Sequence, residues 1–184
     1  MGKLYEELTP NLVEFISEQK LFFVGTAPLG QEGHINISPK GMDCLKVLDS
    51  KTIAYLDVTG SGVETISQIK ENGRLVFMFC AFEGKANILR LYGRGEVFDF
   101  AHPEFPDYLK LFPDYGKVRA VIKINLTRIQ DSCGWGVPFY EFKGERDQLK
   151  RSENHRTYDE WVEHRYNTNS HSIDGLPGLT RPAT

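Results

Sequence analysis

Cysteine is scarce in this chain, and its three cysteines, Cys44, Cys80 and Cys133, stand far apart with no C-x-x-C pair among them. This number and spacing support neither a disulfide framework nor a zinc site, so we predict no metal centre. Long apolar runs are also missing, and no signal-peptide pattern begins the sequence. These absences predict a reduced, cytoplasmic protein with no membrane partner.

The sequence also lacks a block of positively charged residues. The 184 residues carry 22 Lys and Arg against 25 Asp and Glu, which gives a formal net charge of −3. Because proteins that bind nucleic acids neutralise phosphates with clustered cations, we predict no nucleic-acid partner. The hydrophobic share of 40% and the length are typical of one globular domain over residues 1–184 with its own core.

The clearest pattern lies between Thr52 and Gly95. A β-branched and aromatic run over residues 52–58 is broken by Thr59-Gly-Ser-Gly62, and residues 63–71 have helical spacing that ends at Asn72-Gly73. Two apolar segments, from Leu75 and from Ile88, then predict neighbouring strands. Since the Gly-Ser-Gly turn precedes a helix start, its free N–H groups and the helix dipole predict an anion site there.

The rest of the chain predicts a mainly β protein, a mostly antiparallel β-barrel with helices packed outside it. Residues 1–20 predict an N-terminal helix that starts at Thr9-Pro10, and residues 145–184 a charged helix followed by a polar tail that wraps a surface or a partner subunit. The segment 104–117 predicts a helical connection. Further strands are predicted at 21–27, 34–38, 45–48, 120–129 and 139–142.

The ordered elements resemble the FMN-binding split-barrel family related to pyridoxamine 5′-phosphate oxidase, over about Leu12 to Phe142. Three motifs carry the resemblance: Ser38-Pro-Lys-Gly41, the strand, turn and helix start of Tyr55–Thr65, and Arg90-Leu-Tyr-Gly93. The resemblance implies an antiparallel split β-barrel that binds FMN at a homodimer interface. It further implies an FMN-dependent oxidoreductase acting on an unidentified small molecule.

The resemblance also implies a set of cofactor-binding residues. The residues expected to contact the flavin phosphate are Lys40, Ser61 and Thr65. Ser38 and Gly62 belong to the same two motifs and are expected beside them. Those expected along the flavin ring or the ribityl chain are Asp57, Val58 and Thr59, with Arg90 on a strand that faces the cofactor. No catalytic residue is assigned, because the isoalloxazine ring itself carries flavin redox chemistry.

Two departures from the family pattern affect the expected chemistry. Val63-Glu-Thr65 stands where the oxidase has Ser-Arg-Lys, which leaves fewer cations for a phosphate. The oxidase's C-terminal Arg-Leu-His-Asp-Arg motif is absent after Glu141-Phe142, so oxidation of pyridoxamine phosphate is not expected. Alternatives are a flavin storage or sensor module without turnover, or a haem or deazaflavin binder on the same barrel.

Trp135 is the last candidate residue. It lies between two glycines in the compact loop from Cys133 to Pro138, where a planar ligand can approach the backbone closely. One interpretation is that Trp135 stacks on the flavin ring. The other is that it fills the mouth of the barrel and touches no ligand.

Overall fold

Eight antiparallel strands form one sheet in the computed structural model, which describes residues 2–152 and 155–182. The strands are β1 (Leu4–Tyr5), β2 (Phe22–Thr26), β3 (Asn36–Lys40), β4 (Leu45–Val47), β5 (Thr52–Asp57), β6 (Arg74–Cys80), β7 (Ile88–Asp99) and β8 (Ala120–Ser132). The helices are α1 (Pro10–Glu18), α2 (Glu64–Asn72), α3 (Phe105–Leu109), α4 (Gln148–Ser152) and α5 (Tyr158–Thr168). Within these ranges, no helix is both long and apolar enough to cross a membrane.

The sheet curls into a split barrel. Its strand order is β3-β2-β6-β7-β8-β5-β4, with β1 added on β8. Phe22 of β2 meets the ring of Tyr55 on β5 at 6.2 Å between centroids, although four pairings separate these strands along the sheet. The two ends of the sheet therefore approach each other around a buried aromatic core, and the split lies between β3 and β4. This confirms the predicted antiparallel split barrel.

Gly93 of the Arg90-Leu-Tyr-Gly93 motif lies at a bulge between β7 and β8. The register of the two strands shifts between Tyr92 and Gly93. A Cβ on Gly93 would lie 2.7 Å from the backbone oxygen of Asn125 and would also overlap the side chain of Ile124. Glycine is needed here because the neighbouring backbone approaches too closely for any side chain.

Helix α2 connects β5 to β6 and packs on the barrel. Ile66 and Ile69 are buried on its inner face. Its end at Gly73, which has a left-handed φ of 71°, confirms the predicted stop at Asn72-Gly73. Because α2 begins shortly after β5 ends, the short loop Thr59–Gly62 lies at the positive end of its dipole.

The prediction of one helix over residues 1–20 is wrong for its first part. Leu4 and Tyr5 form β1 and pair with Gln130 and Ile129 of β8. The Tyr5 hydroxyl donates to the Asp131 carboxylate at 2.6 Å, which ties the N-terminal segment to the sheet. Helix α1 begins at Pro10 after Thr9, as predicted.

Two predictions for the second half of the chain are also wrong. Residues 139–142 form no strand, since this segment is irregular and Tyr140 donates one backbone hydrogen bond to Phe82. The helix predicted from 145 is divided into α4 and α5, with residues 153–154 outside the described range. A capping box between Thr157 and Glu160 starts α5 as a separate helix.

Strand β3 begins two residues later than predicted and runs through Pro39 to Lys40. Pro39 is tolerated inside it because β3 is an edge strand, where a missing N–H leaves no partner unsatisfied. The helical connection predicted at 104–117 is limited to α3, five residues long.

Candidate active site

The C-terminal tail folds back over its own protomer. Residues 169–179, here called the C-terminal strap, close on themselves through hydrogen bonds from the N–H groups of Gly178 and Leu179 to the carbonyls of Ser170 and Asn169. The Lys70 ammonium of α2 donates to the Gly178 carbonyl at 2.9 Å. The tail was predicted to wrap either a surface or a partner subunit. In this structure the strap covers a surface of its own chain.

A buried ion pair lies under the loop Thr59–Gly62. The Arg119 guanidinium donates to both carboxylate oxygens of Asp57, at 3.0 and 2.9 Å. The two side chains are only 4% and 1% exposed. Both contacts come from one terminal nitrogen of the guanidinium, and these charge-assisted hydrogen bonds offset part of the cost of removing both charges from water. Asp57 was expected beside the flavin ring or the ribityl chain. Its carboxylate is instead paired with an arginine of the same chain.

The three carbonyls of Gly60, Ser61 and Gly62 each accept a hydrogen bond from a different buried side chain. Arg165 donates to Gly60 at 3.0 Å, Asn169 of the strap to Ser61 at 3.1 Å, and Arg119 to Gly62 at 2.6 Å. A carbonyl and the next N–H point in opposite directions across a trans peptide. The N–H groups of Ser61 and Gly62, for which no described residue provides an acceptor, therefore face away from these side chains.

Thr59 has a strained backbone at the start of this loop. Its φ of 135° lies in a region that residues with a Cβ rarely adopt. Its hydroxyl oxygen is buried without a hydrogen-bond partner among the described residues. Strain together with an unsatisfied polar group is typical of ligand sites, where the surrounding structure holds an unfavourable conformation in place. Its neighbour Val58 is half-buried against the core.

A polar row on β3 lies opposite the loop. Asn36 donates to the hydroxyls of Thr26 and of Thr65 on α2, at 3.1 and 3.0 Å, and Ser38 donates to Asn36 at 3.4 Å. Asn36 was missing from the predicted site residues. The alternation of His34, Asn36 and Ser38 in the sequence was the signal that could have identified it, since it predicts one polar face on a strand.

Lys40 continues the same row but lies away from Thr65. Four residues along a strand separate Lys40 from Asn36 by about 13 Å between Cα atoms. Its ammonium lies 5.8 Å from the centre of the Tyr55 ring. The three expected phosphate ligands, Lys40, Ser61 and Thr65, are therefore not gathered at one point: Thr65 is buried against Asn36, and Ser61 is exposed. Burial raises the pKa of the nearby Cys44 thiol to about 12, despite Lys40.

The loop and β3 border a shallow, open cavity of about 530 Å³, here called the loop–β3 cavity. Its lining residues are His34, Ile35, Asn36, Ile37, Ser61, Gly62, Glu64 and Ile173. The strap forms part of its rim, since Asp174 accepts from both the backbone N–H and the ring of His34. These bonds from His34 hold the pKa of the Asp174 carboxyl below its usual range.

A larger cavity of about 760 Å³ lies elsewhere, between α1, β4 and residues 142–147. None of the predicted site residues lines it. The larger cavity is favoured only by its size. The loop–β3 cavity is the better candidate for a ligand site, because the free N–H groups of Ser61 and Gly62 line it and the strained Thr59 lies two residues before Ser61.

Arg90 and Trp135 lie outside the loop–β3 cavity of this protomer. Arg90 lies on the sheet face opposite to the buried Leu89 and Leu91 and donates to the Ser132 hydroxyl at 3.1 Å. Trp135 is 86% exposed, so the interpretation that it fills the barrel mouth is wrong. A ligand or a second chain would have to come to these two side chains.

Comparison with known proteins agrees with this architecture. A family model described as pyridoxamine 5′-phosphate oxidase matches residues 8–133, more than half of the chain. The chain belongs to this family. The pyridoxamine 5′-phosphate oxidase family protein ustO of Aspergillus flavus is 38% identical over 196 residues, covering 97% of this chain and 78% of that protein.

Solved structures show the same fold. HupZ of Group A Streptococcus is 25% identical with a TM-score of 0.53, over 66% of this chain and 91% of its own. A Lactobacillus delbrueckii protein assigned to the pyridoxamine 5′-phosphate oxidases is 17% identical with a TM-score of 0.50, over 69% of this chain and 98% of its own. At that identity, the second likeness concerns the fold alone.

The buried ion pair yields a stability prediction. We expect Arg119→Ala to lower the free energy of unfolding by about 3–5 kcal/mol, because it leaves the Asp57 carboxylate buried and unpaired. Arg151→Ala is the matched control, since Arg151 pairs with Asp147 at 2.9 Å on the surface, where such pairs contribute roughly 0–1 kcal/mol. Urea unfolding of both variants measures the difference. Equal losses in the two variants would contradict this account.

Proposed function

We propose that the protein binds FMN at the loop–β3 cavity and is a flavin-dependent oxidoreductase that acts on a small molecule. Membership of the pyridoxamine 5′-phosphate oxidase family supports the cofactor class. The single observation that carries the proposal is Thr59, which combines a strained φ of 135° with a buried, unpartnered hydroxyl two residues before Ser61 of the cavity lining. Such a combination is retained where a ligand uses it.

The polar groups at the cavity fit a flavin with its ribityl chain. The N–H groups of Ser61 and Gly62 are available donors in the lining. Asn36 adds an amide from β3 that is held in place by its hydrogen bonds to Thr26 and Thr65. FMN supplies hydride and electron transfer when bound. The chain's own residues bind and orient the ligand, while the carbonyl contacts from Arg119, Arg165 and Asn169 keep the loop in its binding conformation.

The visible spectrum of the purified protein tests the cofactor. We expect flavin absorption bands, and bleaching of those bands by NADH or NADPH under anaerobic conditions. Bound flavin that neither reductant bleaches would favour the storage or sensor alternative. A haem or deazaflavin spectrum would overturn the choice of FMN.

We also propose that the protein is a homodimer. Several large apolar side chains are exposed on one protomer: Ile35, Ile37, Trp135, Phe139, Tyr140 and Ile173. Obligate homodimers bury about 2,000 Å² or more, and exposed apolar side chains in two patches fit such an interface. Analytical ultracentrifugation at micromolar concentration is expected to give the dimer mass, and a monomer would refute the proposal.

Trp135 provides a spectroscopic probe of the ligand. If a bound flavin stacks on its exposed ring, FMN should quench its fluorescence, and Trp135→Phe should keep the fold while removing most of the quenching. Trp161 is the second of the two tryptophans and is fully buried, so it serves as the internal reference. Equal quenching in the wild type and in Trp135→Phe would show that Trp135 does not meet the flavin.

A further inference from the structure

The first residue of α2, Glu64, places a carboxylate at the loop–β3 cavity. The carboxylate lies so close to Gly62 that a Cβ on this glycine would collide with it. One of its oxygens accepts a hydrogen bond from the backbone N–H of Ile173 in the strap, at 3.3 Å. Glu64 is therefore held at the positive end of the α2 dipole, which is the favoured location for an anion.

No cation of the site balances this carboxylate. The residues that line the cavity include neither lysine nor arginine. The two buried arginines nearby are engaged with the loop, since Arg119 binds Asp57 and the Gly62 carbonyl while Arg165 binds the Gly60 carbonyl. Asp174, the other carboxylate at the rim, is paired with His34, whereas Glu64 has no ion pair among the described residues.

We propose that Glu64 is a specificity-determining residue that occupies, with its own carboxylate, the anion position at the start of α2. The site then gains no affinity from a flavin phosphate and accepts riboflavin at least as well as FMN. This inference rests on the proposed function, because it concerns which flavin the same cavity takes. The physical reason is like-charge repulsion between the Glu64 carboxylate and a phosphate dianion bound close to it.

Titration of the flavin-free protein with FMN and with riboflavin tests the inference. In the wild type we expect FMN to bind no more tightly than riboflavin. Glu64→Gln keeps the side-chain shape and the acceptor for Ile173, and it should strengthen FMN binding roughly tenfold while riboflavin binding changes less than about twofold. Glu14→Gln, on the exposed face of α1, removes the same charge away from the cavity and should alter neither affinity.

Salt provides a second measurement that needs no variant. Because ions screen repulsion, FMN binding to the wild type should strengthen as the salt concentration rises, and riboflavin binding should not. In Glu64→Gln the salt response of FMN should disappear. A thermal melt of each protein shows that it is folded. If the variant does not fold, the ratio of FMN to riboflavin affinity in the wild type and its salt dependence still test the role of Glu64.

The failures of the two proposals are distinguishable. A wild type that binds FMN a hundredfold more tightly than riboflavin, with no change in Glu64→Gln, overturns the role of Glu64 and leaves flavin binding intact. Absence of binding of both flavins to both proteins overturns the proposed function, and the role of Glu64 with it.

Discussion

The buried pair of Arg119 and Asp57 is the interaction on which the candidate site depends. Two opposite charges, 4% and 1% exposed, are costly to remove from water, so their mutual contact has to offset that cost. Asp57 ends β5 and Arg119 precedes β8, and the Arg119 N–H also donates to the Asp57 carbonyl at 3.0 Å. The other terminal nitrogen of the guanidinium donates to the Gly62 carbonyl and to the Asn169 side chain, so the pair links the barrel, the loop and the strap.

This arrangement decides which chemistry remains for a ligand. Arg119 does not neutralise a bound phosphate, because its charge is paired with Asp57 and both of its terminal nitrogens donate to residues of the same chain. The groups that stay available at the cavity are the N–H groups of Ser61 and Gly62 and the Ser61 hydroxyl, together with the carboxylate of Glu64. A ligand at this site would be recognised through hydrogen bonding and shape, with little help from positive charge.

Local signals in the sequence predicted the local parts of this site. The Gly60-Ser61-Gly62 turn, α2 and its stop at Gly73 are consecutive in the chain and obey short-range rules, so they could be identified without a structure. The partner of Asp57 could not, because Arg119 lies 62 residues away and nothing near either residue indicates the pairing. The same holds for β1, which is a strand because β8 offers it hydrogen bonds, although its own residues favour no particular structure.

The strap shows why the site is a property of the whole chain. Asn169 is fully buried and binds the Ser61 carbonyl, 108 positions earlier. Its position follows from α5, which the capping box at Thr157 starts and the buried Trp161 anchors against the ring of Phe100. The conformation of the loop therefore requires contacts that form only when the last helix has docked. Two glycines and a serine give this loop much conformational freedom, and the hydrogen bonds from Arg165 and Asn169 hold it in one conformation at the candidate site.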